Sequence, residues 1–409
     1  ERSVLREQRT RTGNRFIPPH LCSINIGYCL VGRLSCLLMT LSYDNMHFAC
    51  AVMTHCTTTT PPICDLLTLS MKIFKRRTPL NKKLSLIIVV LLAALGVTSI
   101  SAQEEAMTDA PTVYMSEQYE TEVSTHVYAQ GLTHDEWGSE TAEPMDLLLD
   151  VYEPIGAPPD RPAMIIIHGG AFRLGSRDDG RFVNMAEYYA TRGWVTISID
   201  YRLLGDRGTI PQSWQDGIQE HTEGGDTVTA IYPASRDAKA AVRWLYANAE
   251  TYQIDTDYIS TLGMSAGASL AIMLGTTDEH LYRDELTLEE DPTLASTNLD
   301  QPADVHTVIA LSMTPAANTV LERIYDINTY DETDAPLMIM NGTNDRLAPF
   351  EEAEMLRDQY EATGAPYAFY AIEGAGHTLG MMGAEVNGRG IFDLGFDFIV
   401  EQQLLQIAN

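Results

Sequence analysis

The segment Ile259-Ser260-Thr261-Leu262-Gly263-Met264-Ser265-Ala266-Gly267-Ala268-Ser269-Leu270 decides the fold. It is a short apolar run, then Gly-x-Ser-x-Gly, then small residues that begin a helix. Glycines at 263 and 267 indicate a strand-to-helix turn too tight for side chains, which lifts the Ser265 hydroxyl clear of the sheet at a helix N-terminus. A small-residue turn with an ordinary surface serine has the same local pattern, so the rest of the chain must distinguish the two.

Apolar runs on both sides of this segment predict a parallel sheet whose strands are buried on both faces. The predicted strands are Met145–Tyr152, Ala163–Ile167, Trp194–Ile199, Tyr258–Leu262, Val308–Leu311, Leu337–Met340 and Ala368–Ile372. Helical patterns separate most of them, including Ser235–Ala249 with Ser235 as N-cap, Glu351–Ala362 and Phe392–Leu405. This alternation predicts an α/β fold: a doubly wound, mostly parallel sheet with helices on both faces. Two acidic insertions, Leu204–Ala230 and Thr276–Ala303, are expected near the active-site rim.

A base and an acid for the serine follow two later strands. His377 lies in Gly374-Ala375-Gly376-His377-Thr378, directly after the strand that ends at Ile372. Asp345 comes just past the strand Leu337–Met340, whereas the nearby Asp331, Glu332 and Asp334 precede that strand, at the opposite edge of the sheet. Since acyl transfer needs a nucleophile, a base and an orienting carboxylate, the predicted catalytic residues are Ser265, His377 and Asp345.

A glycine-containing loop, His168-Gly169-Gly170-Ala171-Phe172, follows the apolar strand that ends at Ile167. Glycines let backbone N–H groups approach a substrate oxygen closely, so the predicted oxyanion hole consists of the N–H groups of Gly170, Ala171 and Ala266. For His168 itself we expect a structural role, in which hydrogen bonds hold this loop.

Charge is distributed unevenly along the 409 residues. Residues 103–409 carry 15 basic and 52 acidic residues, a formal charge of −37, and Lys239 is their only lysine. Such a surface repels nucleic acid and anionic lipid, so neither is an expected partner. A carboxylate-rich folded protein of this kind is typical of salty water, where ions screen the self-repulsion.

The N-terminal quarter has a different character. All six cysteines lie within the first 64 residues, without a Cys-x-x-Cys pair; we interpret residues 1–70 as an upstream extension outside the native protein, with a small disulfide or zinc module as the alternative. Residues 71–102 read as a signal peptide, with basic residues before the apolar run Leu84–Val97 and small residues after it. A secreted or periplasmic protein is therefore expected, with a retained membrane anchor as the alternative. Residues 103–144 are interpreted as an N-terminal arm or partial cap, and residues 145–409 as the catalytic domain.

From about Met145 to Leu405 the sequence resembles the α/β-hydrolase carboxylesterases, in the hormone-sensitive-lipase-like and feruloyl- or acetyl-esterase-like branch. The residues that carry this resemblance are His168-Gly169-Gly170, Asp200-Tyr201-Arg202-Leu203, Asp237-Ala238 with Arg243-Trp244-Leu245, Gly263-Met264-Ser265-Ala266-Gly267, Asp345 and His377. The chain order Ser, Asp, His also matches that fold. The sequence departs from the branch at Ala171, where a third glycine is common, and at Met264, where an acidic residue is common.

The resemblance implies a serine carboxylesterase that hydrolyses small or short-chain esters through an acyl-enzyme, without a cofactor or metal. Asp200, Tyr201, Arg202 and Asp237 would then be structural supports. Two alternatives stay open: a prolyl-oligopeptidase-like serine exopeptidase, and a non-catalytic binding module on the same fold. The expected partner is a small-molecule ester, with no stable membrane partner, and nothing in the sequence indicates the oligomeric state.

Overall fold

The structure is a computed structural model that describes residues 110–136, 139, 141–221, 226–379 and 383–408, with the backbone of three strands nearer the N-terminus. The chain divides into two units, Glu1–Thr98 and Ser99–Asn409. In the first unit, Ser23–Val31, Leu34–Tyr43 and Met46–His55 form an antiparallel sheet in chain order. The predicted signal peptide at 71–102 lies outside the described residues, and the interpretation of residues 1–70 stays a prediction.

The second unit is built on an eight-stranded sheet. Its strands in chain order are β1 (Thr121–His134), β2 (Ala142–Pro154), β3 (Arg161–Ile167), β4 (Val195–Ile199), β5 (Ile254–Met264), β6 (Thr307–Leu311), β7 (Leu337–Gly342) and β8 (Tyr367–Ile372). Their order across the sheet is β8-β7-β6-β5-β3-β4-β2-β1. Strands β3 to β8 are parallel, and β2 runs antiparallel to both β4 and β1.

Helices cover both faces of the sheet, as predicted. Those of ten residues or more are α1 (Gly180–Ala190), α2 (Gln212–His221), α3 (Val228–Ala247), α4 (Ala266–Thr276), α5 (Ala316–Tyr325), α6 (Phe350–Thr363) and α7 (Ile391–Gln403). Helices α1 and α7 pack on one face, where Met164 and Leu262 point, while the other five pack on the face of Ile165 and Ile339. Each central strand is buried on both sides, which explains why its sequence is continuously apolar. The predicted doubly wound α/β fold is confirmed.

Helix α3 begins seven residues earlier than the sequence pattern suggested. The prediction that Ser235 is its N-cap is wrong: the helix starts at Val228, and Ser235 is fully buried inside it. Almost every residue from Val228 to Leu245 is buried. The helix therefore lacks the one-sided apolar pattern from which the first residue of a helix is normally predicted. Tertiary contacts therefore decide the helix boundary here.

Within residues 103–144, which the sequence analysis interprets as an N-terminal arm or partial cap, the structure describes strand β1 at the edge of the sheet. Strand β1 pairs with β2 from Thr121 opposite Pro154 to His134 opposite Ala142. The first half of β1 is largely exposed because it is an edge strand, and a bulge at Val127–Ala129 shifts its register. The exposure and the bulge together weaken the alternation of apolar and polar residues by which a strand is predicted from sequence.

The two acidic insertions lie in different surroundings. The first reaches the loop after β3: the Leu204 N–H donates to the Phe172 carbonyl, and Arg173 donates to the Thr227 hydroxyl. The second leaves α4 at its C-terminal end. Because α4 starts beside Ser265 and runs back along the sheet, this end lies at the opposite edge, and placing the start of this insertion at the active-site rim was wrong.

Candidate active site

Ser265 lies in a sharp turn between β5, which ends at Met264, and α4, which begins at Ala266. Its backbone has φ 56° and ψ −120°, a conformation rarely adopted by residues other than glycine. The Ser265 N–H donates to the Leu311 carbonyl of β6 at 2.9 Å, which anchors the turn to the neighbouring strand. The hydroxyl therefore projects from the end of the sheet, at the N-terminus of α4.

Both glycines of the motif are required by close backbone contacts. A Cβ atom on Gly263 would collide with the Gly267 carbonyl group, and a Cβ on Gly267 would collide with the carbonyl of Ile167 in β3. The helix can approach the sheet this closely only without side chains at these two positions. The tight turn expected from the sequence is what the structure contains.

Asp345 and His377 lie on loops that follow β7 and β8. The two loops are joined by a hydrogen bond from the Asn344 N–H to the Ala375 carbonyl. The same carbonyl lies so close to Gly342 that a Cβ atom there would collide with it. Asp345 Oδ1 accepts the N–H groups of Leu347 and Ala348, at 2.8 and 2.9 Å, so the carboxylate is fixed in orientation.

The structure brings the three predicted residues into one hydrogen-bonded chain. His377 Nε2 lies 2.8 Å from Ser265 Oγ, and His377 Nδ1 lies 2.8 Å from Asp345 Oδ2. The Asp345 side chain is fully buried and that of His377 is 19% exposed. With the carboxylate as acceptor at Nδ1, the neutral imidazole carries its proton there and presents a lone pair at Nε2 to the serine hydroxyl.

The loop after β3 packs directly against the serine. A Cβ atom on Gly169 would lie 3.1 Å from Ser265 Cβ. Gly170, Ala171 and Phe172 all have positive φ, at 128°, 53° and 57°, so the backbone curls at this point. No described residue accepts the N–H groups of Gly170, Ala171 or Ala266. These three N–H groups therefore have no acceptor among the described residues, and their use as an oxyanion hole stays a prediction.

His168 supports this loop. Its ring is 1% exposed, stacks on Tyr201 at 4.3 Å between centroids, and donates from Nδ1 to the Gly169 carbonyl. Burial lowers the pKa of His168, so the ring is neutral at pH 7. The Tyr201 hydroxyl donates to the His168 carbonyl. These contacts fit the structural role expected for His168.

Two ionic contacts beneath the site come from the motif Asp200-Tyr201-Arg202. Arg202 pairs with Asp237 at 2.6 Å, with both side chains at most 3% exposed. Asp200 accepts the Arg177 N–H and its guanidinium, at 2.7 and 2.5 Å, which holds the segment that follows the glycine-containing loop. Arg177 was missed in the sequence, because an isolated arginine in a loop gives no signal of its partners.

Ser312 was also missed. It follows β6 directly, next to the Leu311 carbonyl that holds the Ser265 N–H. Its φ is 49°, its side chain is fully buried, and its hydroxyl has no hydrogen-bond partner in the described part of the chain. Backbone strain of this kind is often retained beside active sites, but no residue pattern in the sequence marks it.

Comparisons with known proteins find similar sequences among esterases. The BD-FAE family matches residues 149–219 and 226–317. Esterase LipC of Mycobacterium tuberculosis is 24% identical over 249 residues, which cover 56% of each chain. The "Probable carboxylic ester hydrolase LipM" of the same organism is 24% identical over 240 residues, 54% of this chain and 50% of that one. The chain thus spans about half the length of these relatives.

Among solved structures, propionate-bound esterase Est2 of Thermogutta terrifontis is 22% identical with a TM-score of 0.50, and the match covers 70% of this chain and 97% of that one. This likeness concerns the fold. The resemblance stated from the sequence motifs is thereby confirmed: the chain has the fold of the α/β-hydrolase esterases, and the part that matches the BD-FAE family includes its nucleophile turn.

Proposed function

We propose that this protein is a serine carboxylesterase that hydrolyses small or short-chain esters through a Ser265–His377–Asp345 triad. The observation that carries the proposal is the hydrogen-bonded chain from the Ser265 hydroxyl through His377 to Asp345, with both contacts at 2.8 Å. Nucleophile, base and orienting carboxylate are in place for acyl transfer.

The proposed reaction has two steps. Ser265 Oγ attacks the ester carbonyl carbon while His377 Nε2 takes the hydroxyl proton, and Asp345 stabilises the resulting imidazolium. The N–H groups of Gly170, Ala171 and Ala266 hold the oxyanion. The intermediate then expels the alcohol, which takes the proton from His377. Water, activated by the same histidine, releases the acid and restores the serine.

Exposed apolar side chains on two active-site loops favour uncharged substrates. Leu174, in the loop after β3, is 64% exposed, and Leu347, two residues after Asp345, is 76% exposed. The formal charge of −37 over residues 103–409 opposes the approach of anionic esters, so neutral or cationic ones are the better candidates.

Two assays test the function. A fluorophosphonate probe should label Ser265, and p-nitrophenyl esters of increasing chain length should be hydrolysed best at short acyl length. Absence of labelling in folded protein would favour the non-catalytic binding module. Labelling together with cleavage of aminoacyl p-nitroanilides, but not of esters, would favour the exopeptidase.

Salt is expected to stabilise the protein. At 0.01 M ionic strength the Debye length is about 30 Å, so surface carboxylates repel one another across the domain; near 1 M it is about 3 Å and this repulsion is screened. We expect the melting temperature to rise between low and molar NaCl. A melting temperature that stays flat or falls would contradict this prediction.

Export is proposed on sequence grounds, from the basic segment and the apolar run Leu84–Val97. In the described part of the chain no helix is long and apolar enough to cross a membrane. N-terminal sequencing of the protein from its own host should find a mature chain that begins near Gln103. A chain that retains Leu84–Val97 would support the membrane anchor instead.

A further inference from the structure

A cleft of about 1040 Å³ opens on the side of the domain away from Ser265. Its walls come from the end of α4 and the segment after it, from Asp304–His306 before β6, and from the segment between α5 and β7, Tyr325–Pro336. Because Ser265 follows the C-terminal end of β5, while these segments precede parallel strands, the cleft lies at the opposite edge of the sheet. It is therefore separate from the site described above.

Among the described residues, the lining of the cleft contains seven carboxylates and two histidines, His280 and His306, but no lysine or arginine. The acidic residues are Asp278, Glu279, Asp284, Glu285, Asp304, Asp331 and Asp334. Arg283, outside the lining, pairs with Glu279 and Asp284. None of the other five forms an ion pair with a described residue. Apolar groups, including Leu281, Val305, Tyr325 and Ile327, lie between the acidic ones.

Asp334 is the least solvated of these unpaired carboxylates. It is only 8% exposed, and the one described group that donates to it is the Asp331 N–H, at 3.1 Å. Burial raises the pKa of Asp334 to about 7, and the carboxylates of Asp331 and Asp278 add to the rise, against the lowering by that N–H group. A carboxylate withdrawn from water without a cation is unfavourable, so its surroundings favour a positively charged ligand.

We propose that this cleft binds a small organic cation, an alkylammonium, whose charged end pairs with Asp334 and whose hydrocarbon part lies on the apolar wall. The alternation of carboxylates with Leu281, Val305 and Ile327 suits a ligand that carries both charge and CH₂ groups. Tyr325 also lines the cleft, and aromatic rings attract ammonium groups. This binding is independent of the proposed hydrolase activity.

Isothermal titration of the full chain with 1,5-diaminopentane tests the proposal. We compare the native protein, Asp334→Asn and Asp358→Asn at one fixed salt concentration. Asp358 is an exposed residue of α6 that pairs with Arg357, so its replacement removes the same charge away from the cleft. Loss of a charge-assisted hydrogen bond should weaken binding to Asp334→Asn by about tenfold or more, while Asp358→Asn binds like the native protein.

Two results would overturn the proposal. Equal weakening in both variants would mean that diamine associates with the general negative surface. Binding of Mg²⁺ without binding of diamine would mean that the cleft takes a metal ion. If Asp334→Asn fails to fold by circular dichroism, Asp278→Asn, which removes a second carboxylate of the same cleft, replaces it with the same expectation.

The unliganded protein gives a second readout. Asp334 faces Asp331 in its own turn, Asp278 after α4, and the tyrosines Tyr330 and Tyr360. The pKa of Asp334 is higher in the folded than in the unfolded state. Its ionisation therefore lowers the free energy of unfolding as pH rises from about 4 through about 7. Asp334→Asn should therefore melt at a higher temperature than the native protein at pH 8, with a smaller difference at pH 5. If the melting temperatures of the two proteins differed by the same amount at pH 5 and pH 8, the ionised Asp334 carboxylate would not be the group that destabilises the fold.

Discussion

We expect the Ser265→Ala variant to lose ester hydrolysis by a factor of about 10⁴–10⁶ in kcat while it keeps its fold. The Ser265 hydroxyl is the group that lies 2.8 Å from His377 Nε2, and no acyl-enzyme can form without it. The anchor of the turn, from the Ser265 N–H to the Leu311 carbonyl, is a backbone contact that alanine preserves. Alanine also avoids adding bulk at a positive φ.

The measurement is kcat on a short-chain p-nitrophenyl ester, with circular dichroism as the test of folding. Ser124→Ala serves as the matched control, because that serine lies in the exposed first half of β1, where its hydroxyl bonds to His126. We expect native activity for the control. A folded Ser265→Ala protein with native activity would require another nucleophile.

The second large effect is expected for Asp345→Asn, with a loss of about 10⁴-fold in kcat. The asparagine fits the same space and its oxygen can still accept the N–H groups of Leu347 and Ala348. Its amide then faces His377 Nδ1, which favours the wrong tautomer and removes the charge that stabilises the imidazolium. KM should change little, because Asp345 is buried behind the histidine and does not face the substrate.

Asp358→Asn is the control for this variant, as the same chemical change on the exposed surface of α6. It should keep native kcat and KM. If both variants lost the same activity, the carboxylate that orients His377 would have to be sought elsewhere.

The parts of the site that could be predicted from the sequence are those fixed by local backbone constraints. Gly263 and Gly267 mark the tight turn in the sequence, because at each position a Cβ atom would collide with a carbonyl group. Asp345 and His377 were found because each directly follows a continuously apolar strand, and such strands end at one edge of a parallel sheet.

The features that sequence reasoning missed depend on distant partners. Strand β1 exists through its pairing with β2, and its own alternation is blurred by exposure and a bulge. Helix α3 starts at Val228 because its neighbours bury it on every side. Likewise, the orphan hydroxyl of Ser312 and the unpaired Asp334 are defined by what surrounds them, and no linear pattern specifies that.

Helix α3 also carries Lys239, whose amine is 1% exposed and donates to the carbonyls of Asp278 and Leu281. Burial lowers its pKa to about 7, so a large fraction of the amine is in the neutral, nucleophilic form at neutral pH, although reagents cannot reach it. In a chain that begins near Gln103 it is the only lysine. Amine-directed reagents would then modify the native domain at its N-terminus alone and reach Lys239 only when the wall of the cleft detaches from α3. The rate of acylation at this one side chain would therefore report how often that wall opens.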